Sequence, residues 1–165
     1  MDPRPPLAAA AELNARLWIN CLQGVPAEVA WQRPNTYTNS LGFVALHLLD
    51  ARYFLAGYLG LSVENPFQAS LADVQRIEDL PETAKVPLEA LRAPWRALSE
   101  QLAEHVPDVE VAVLAAPSSV RFPTEDGSVL GGALFLLHHE AYHIGQMALL
   151  RKFWGLPAMR YDRRA

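Results

Sequence analysis

Five histidines are the residues of this sequence best suited to chemistry: His47, His105, His138, His139 and His143. His139 and His143 are four apart in a stretch of helical periodicity. That spacing puts both imidazoles on one helix face, about a turn apart, within reach of one metal ion. The stripe through them reads Gly132, Leu136, His139, His143, Met147, Leu150, and is otherwise apolar. His47 interrupts a second apolar stripe, Phe43, Val44, His47, Ala51, Phe54. Imidazoles aimed into an apolar interior are costly unless each finds a partner or together they bind a metal. A single such histidine is most simply a core residue bonded to a backbone carbonyl. Three on facing stripes favour a metal site. His105 and His138 have no convergent partner and are set aside.

Three neutral imidazoles leave a divalent ion with its full charge and an open position, which is the catalytic arrangement. That position can lower the pKa of a water towards about 7, giving hydrolysis, or deprotonate a thiol, giving thiolate attack. Imidazole ligation suits Zn, Ni, Co, Fe or Cu; one divalent ion, zinc or nickel, is expected. Asp50 lies one turn beyond His47, and Gln146 one turn beyond His143. Either could orient an imidazole or touch a substrate, although Asp50 reads equally well as a surface carboxylate. Cys21, the only cysteine, reads as a small buried hydrophobe. No nucleophile or unambiguous base stands out, so the catalytic residue is left unassigned.

Residues 139–143 also spell His-Glu-Ala-Tyr-His, the H-E-x-x-H pattern of zinc peptidases, whose Glu is the general base. The extended pattern wants Gly at 146 and His at 149, where this sequence has Gln146 and Leu149. Only Asp162 could supply a downstream carboxylate ligand, and His47 would have no role. Glu140 is rotated about 100° from His139, so a structural or solvent role is expected. A change to Gln there should do little.

Scarce glycine (nine residues) and apolar recurrence at three and four positions point to an all-α chain. A first helix is expected from about Leu7 to Leu22, with Leu13, Leu17 and Trp18 facing inward, stopped by Gly24 and Pro26. After a loop at 31–38, Asn39 or Ser40 can cap a second helix running to about Leu59. The stretch 61–85 reads as loop with at most a short helical turn. Pro87 suits the first turn of a third helix reaching His105, with Leu88, Leu91, Trp95, Leu98 and Leu102 on one stripe. Pro94 should kink or split it. The run Val109 to Leu114 is apolar and β-branched but has no clear partner, and 117–127 reads as a turn-rich loop. The last helix runs from Ser128 to about Trp154, stopped by Gly155 and Pro157. Four long helices fit a four-helix bundle with long connections.

The chain of 165 residues is long enough for one core, and a single domain over 1–165 is expected. A 51% apolar and 19% charged composition excludes a disordered chain. Fourteen Lys and Arg against 18 Asp and Glu, a net charge of −4, argue against a nucleic-acid partner. One cysteine excludes an internal disulfide framework and a thiolate-rich zinc site. No apolar run reaches 18 residues, so no membrane span is expected and a cytoplasmic location is. The last helix is apolar almost all the way round, with Leu130, Ala133, Leu134, Leu137, Ala141, Ile144, Ala148 and Phe153 beside the histidine stripe. A symmetric partner or the chain's own loops must cover that second face.

The run Leu136-Leu137-His138-His139-Glu140-Ala141-Tyr142-His143-Ile144-Gly145-Gln146 resembles the signature of the DinB-like (YfiT-like) metal-binding superfamily of four-helix bundles. Asn39-Ser40 leading to Val44-Ala45-Leu46-His47-Leu48-Leu49-Asp50 resembles its second-helix histidine motif. Leu150-Arg151 followed by Gly155-Leu156-Pro157 fits the usual ending. The resemblance implies a divalent metal on His47, His139 and His143, and a homodimer. It also implies a small-molecule substrate, among relatives a low-molecular-weight thiol in S-transferases and in a maleylpyruvate isomerase. Many relatives have no known reaction, so a non-catalytic metal- or ligand-binding bundle is the alternative. Ile144 stands where the family often has Arg, which puts anionic substrates in doubt.

Overall fold

A computed structural model describes residues 1–72, 74 and 79–162. It contains helices α1 (Arg4–Leu22), α2 (Ala27–Ala30), α3 (Leu41–Tyr58), α4 (Gln68–Leu71), α5 (Leu88–His105), α6 (Val111–Ala115) and α7 (Val129–Phe153), with 3₁₀ turns at Glu82–Ala84 and Val106–Asp108. No strand is present among the described residues. The four long helices make a bundle in which α7 packs on α1 and α3, and α5 packs on the same two from the other side. None of the helices is long and apolar enough to cross a membrane.

Local chemistry explains most boundaries. Ser40 caps α3 by accepting the Phe43 N–H at 3.1 Å, and Ser128 caps α7 by accepting the Gly131 N–H at 3.1 Å. Gly24, Gly60 and Gly155 follow α1, α3 and α7 with φ of 64°, 97° and 72°, a region that only glycine enters cheaply. Helix α1 starts three residues earlier than expected, because Pro5 and Pro6 fall in its first turn, where the missing N–H groups have no helical partner anyway. Its last carbonyls are capped by arginines from other helices: Arg151 donates to Cys21 and Gln23, and Arg92 to Leu22. Pro94 does not split α5. Ala90, whose carbonyl loses its partner, is exposed, so water can take that bond. In the run at 109–114, Val109 is buried ahead of the short α6, which seats Leu114 in the core and leaves Val111 and Val113 exposed.

The apolar core is divided in two. One cluster centres on Trp18, Leu48, Leu91, Trp95 and Met147; the other on Leu7, Leu55, Leu98, Leu102 and Leu137. Between them lies a polar layer with one residue from each long helix. Arg52 of α3 makes a two-pronged ion pair with Glu140 of α7, Nε to Oε1 at 2.9 Å and Nη2 to Oε2 at 2.8 Å. Its remaining donors reach Ser99 Oγ of α5 at 2.7 Å and the Ala11 carbonyl at 3.0 Å, and its guanidinium lies 4.1 Å over the Trp95 ring. Asn14 of α1 donates to Glu140 Oε2 at 3.1 Å and to the Leu137 carbonyl at 2.9 Å. Asn14 therefore takes the inward slot at this level, and Leu13, expected inside, is 40% exposed.

Two glycines admit the loop before α7. A Cβ on Gly132 would lie 2.3 Å from the Tyr58 hydroxyl and 2.5 Å from the Phe122 ring, and one on Gly131 2.3 Å from the Asp126 carbonyl. Phe122 thereby packs between Tyr58 and Phe135, and Phe135 in turn lies against His139.

Glu140 and Arg52 are 1% and 0% exposed, which corrects the expectation that Glu140→Gln would do little. Removing one charge of a fully buried pair strands the other, at a cost of about 3–5 kcal/mol. Glu140→Gln should lower unfolding stability by about that amount in urea titrations. The double change Arg52→Met with Glu140→Leu should cost less than either charge-removing single change. A loss under about 1 kcal/mol for Glu140→Gln would show that the pair does not hold the bundle.

Candidate metal centre

Helices α3 and α7 bring His47, His139 and His143 together. One ring nitrogen from each lies within 4.8 Å of the others, and the Nε2 atoms of His47 and His139 are 3.2 Å apart. The ring centroids are 4.5–5.0 Å apart, with each pair of rings nearly perpendicular. Ring edges, where the lone pairs lie, thus converge from both helices. The register that produces this is set next door: Glu140 follows His139, and Arg52 lies five residues after His47, so the ion pair that ties α3 to α7 also sets the histidines opposite one another.

The protonation states suit metal ligands. Burial pushes His47 down to about 4, and the neighbouring His143 and His139 push in the same direction. Burial also lowers His139, aided by His143 and opposed by Glu140, and lowers His143 against its hydrogen bond to Gln146. At neutral pH all three are uncharged, as ligation requires. Gln146 Oε1 lies 2.7 Å from His143 Nδ1 and accepts its proton, which leaves Nε2 of that ring with its lone pair. His139 Nδ1 is buried without a partner among the described residues. The donor set is three neutral nitrogens, which fits a divalent transition ion.

Asp50 contacts none of the three rings by hydrogen bond. Its Oδ1 accepts from Asn65 Nδ2 at 2.6 Å, and its carboxylate is half-buried in a cavity of about 420 Å³ that reaches His139 and Phe135. Burial raises its pKa against the effect of that bond. Glu140 is turned from the histidine cluster into the core, with both oxygens taken by Arg52 and Asn14. The H-E-x-x-H reading therefore lacks its base. Asp162 lies by the end of α1, its carbonyl bonded to Asn20. Cys21 is fully buried, and its thiol is pushed up to about 12 by that burial, with Arg151 opposing, so it is no nucleophile. Tyr142 is 61% exposed and stands edge-on to His143. His105 is half-buried, and its Nε2 lies 2.8 Å from the Leu59 carbonyl.

Reasoning from sequence missed the partners of this site. Asn65 and Phe135 lie in stretches that periodicity did not link to the histidines. Arg52 did carry a signal, as the only Lys or Arg in the 18 residues of α3.

No curated protein matches the chain. The model of the DinB superfamily matches residues 10–147, a span that holds all four bundle helices in whole or large part and all three histidines. The chain belongs to the DinB superfamily.

Proposed function

We propose that the protein is a divalent-metal-dependent enzyme of the cytoplasm that transfers a low-molecular-weight thiol to a small electrophile, or hydrolyses a small substrate. The observation that supports this reading best is the convergence of three uncharged imidazoles, one of which, His139, lines a cavity of ligand size. His47, His139 and His143 would hold the ion, and zinc or nickel suits the donors. When bound, such an ion supplies Lewis acidity that lets a thiol or a water act as nucleophile at neutral pH.

The residues of the chain do the rest. Burial keeps the three imidazoles neutral, Gln146 fixes the tautomer of His143, and the Arg52–Glu140 pair holds the two ligand helices in register. The surroundings favour the thiol reaction. A thiol has a pKa of about 8.5 and needs little help to ionise, whereas hydrolysis wants a base. Glu140 is committed to Arg52, and Asp50 is the only carboxylate among the described residues that line the cavity. The cytoplasm keeps small thiols reduced.

We also propose that the active form is a homodimer. Ala133, Leu137 and Ile144 are covered by the chain's own core, but Leu134, Tyr142, Leu149 and Phe153 leave an apolar strip exposed along α7. A second copy would cover it.

Elemental analysis of protein purified without chelators should give one divalent ion per chain. His143→Ala should abolish stoichiometric binding while the helical circular dichroism persists, and Gln146→Ala should weaken affinity about 10–100-fold. Absence of binding when zinc or nickel is titrated at neutral pH would end the metal reading. A stoichiometric ion with no turnover across a panel of thiols and electrophiles would favour the non-catalytic bundle.

Proton competition has a defined sign. The free imidazoles titrate below 6.5, His47 at about 4. Metal affinity should therefore be flat from about pH 8 to 6.5 and fall only as acid protonates the site below that. Competition against a chromophoric chelator across this range checks it; a steep fall already between pH 8 and 7 contradicts it. For the dimer, light scattering should give twice 18.3 kDa, and a mass of one chain at every dilution would overturn it.

A further inference from the structure

The cavity beside His139 has a chemistry of its own. Its volume of about 420 Å³ falls in the range of small-molecule sites. Aromatic rings of Tyr53, Phe54 and Phe135 form much of its wall, and no Lys or Arg is among the described residues that line it. The polar end consists of Asp50, Asn65 and Gln68.

Hydrogen bonding fixes that end as an acceptor. Asn65 Oδ1 is occupied by the Phe67 N–H at 2.9 Å, which turns the amide nitrogen of Asn65 towards Asp50. Asn65 thus holds Asp50 Oδ1, while Oδ2 has no hydrogen bond from the described residues. No ion pair from the described residues reaches the carboxylate either. A half-buried anion without a cation is unfavourable unless a ligand brings a donor to it. Surface carboxylates lack this feature, because water serves them on all sides.

We propose that this cavity binds a small molecule carrying a protonated amine, the ammonium against Asp50 Oδ2 and an apolar or aromatic body against Phe135, Tyr53 and Phe54. With His139 in the same wall, the bound molecule lies beside the three-histidine cluster. This inference rests on the enzyme reading above only in calling the ligand a substrate; the selectivity of the cavity stands apart from it.

Three probes of one shape separate the charge classes: 2-phenylethylamine, 2-phenylethanol and 3-phenylpropionate. Binding would be followed by ligand-observed NMR and calorimetry at pH 7, on zinc-loaded and on chelator-treated protein. On chelator-treated protein the ammonium probe should bind at least tenfold more tightly than the alcohol, and the carboxylate probe most weakly. Asp50→Asn should erase the preference for the amine, and Asp50→Glu should keep most of it. Equal affinities for the three wild-type probes, or an amine preference that survives Asp50→Asn, would overturn the proposal. If Asp50→Asn does not fold, the ranking of the probes on wild-type protein decides alone. Amine selectivity in protein that takes up no zinc would sink the metal reading and leave this one standing. Zinc uptake without selectivity would do the reverse.

Discussion

The interaction on which the architecture turns is the buried pair of Arg52 and Glu140. It crosses the bundle between α3 and α7, the two helices that carry the histidines, at the level where the apolar core is interrupted. A helix pair held by leucines alone can slide by a turn at modest cost, because one apolar ridge fits another groove nearly as well. A two-pronged guanidinium–carboxylate pair has one geometry, and Asn14, Ser99, the Ala11 carbonyl and the Trp95 face supply what remains of its bonding. Every long helix is therefore tied to the same point. Desolvating the two charges is expensive, and the return is register: only one alignment of α3 on α7 satisfies them.

That alignment matters because the three imidazoles converge next to it. A shift of α7 by one turn would move His139 about 5.4 Å along the axis, well outside the separation at which three ring nitrogens share a point. The polar layer and the histidine cluster can be seen as two faces of one stretch of α7. His139 looks towards the cavity and His143 packs against His47 and His139, while Glu140 looks into the core. Burial then serves both. It strengthens the ion pair by excluding water, and it keeps the imidazoles uncharged.

Much of this was legible in the sequence. The long helices could be placed because their stop signals are strong: Gly24, Gly60 and Gly155 sit where the chain must reverse, and Ser40 and Ser128 stand at the caps. The histidines could be paired because helical spacing is rigid over four residues. The early start of α1 was hidden because prolines normally mark an interruption, and only their position in the first turn makes them harmless. The inward place of Asn14 was hidden for a different reason. A polar residue scores as surface until its partners are known, and those partners, Glu140 and the Leu137 carbonyl, lie more than 120 residues away on α7. Asp50 and Asn65 show the same limit, since fifteen residues and a chain reversal separate a contact of 2.6 Å.

The motif His-Glu-x-x-His illustrates how little a pattern decides without its surroundings. The Glu stands about 100° round the helix from the first histidine, so how the helix is rotated against its neighbours decides whether it turns towards the metal or into the core. Here an arginine on the facing helix, buried and needing a carboxylate, draws Glu140 inward. With Glu140 so placed, His139 and His143 turn to His47 of α3, and His139 lines the cavity. The same five residues that would build a peptidase in one setting build, in this one, a structural ion pair and a set of three nitrogen donors. Activity at this site must then come from whatever the cavity and the donors hold, because the motif's own carboxylate is already spoken for by the fold.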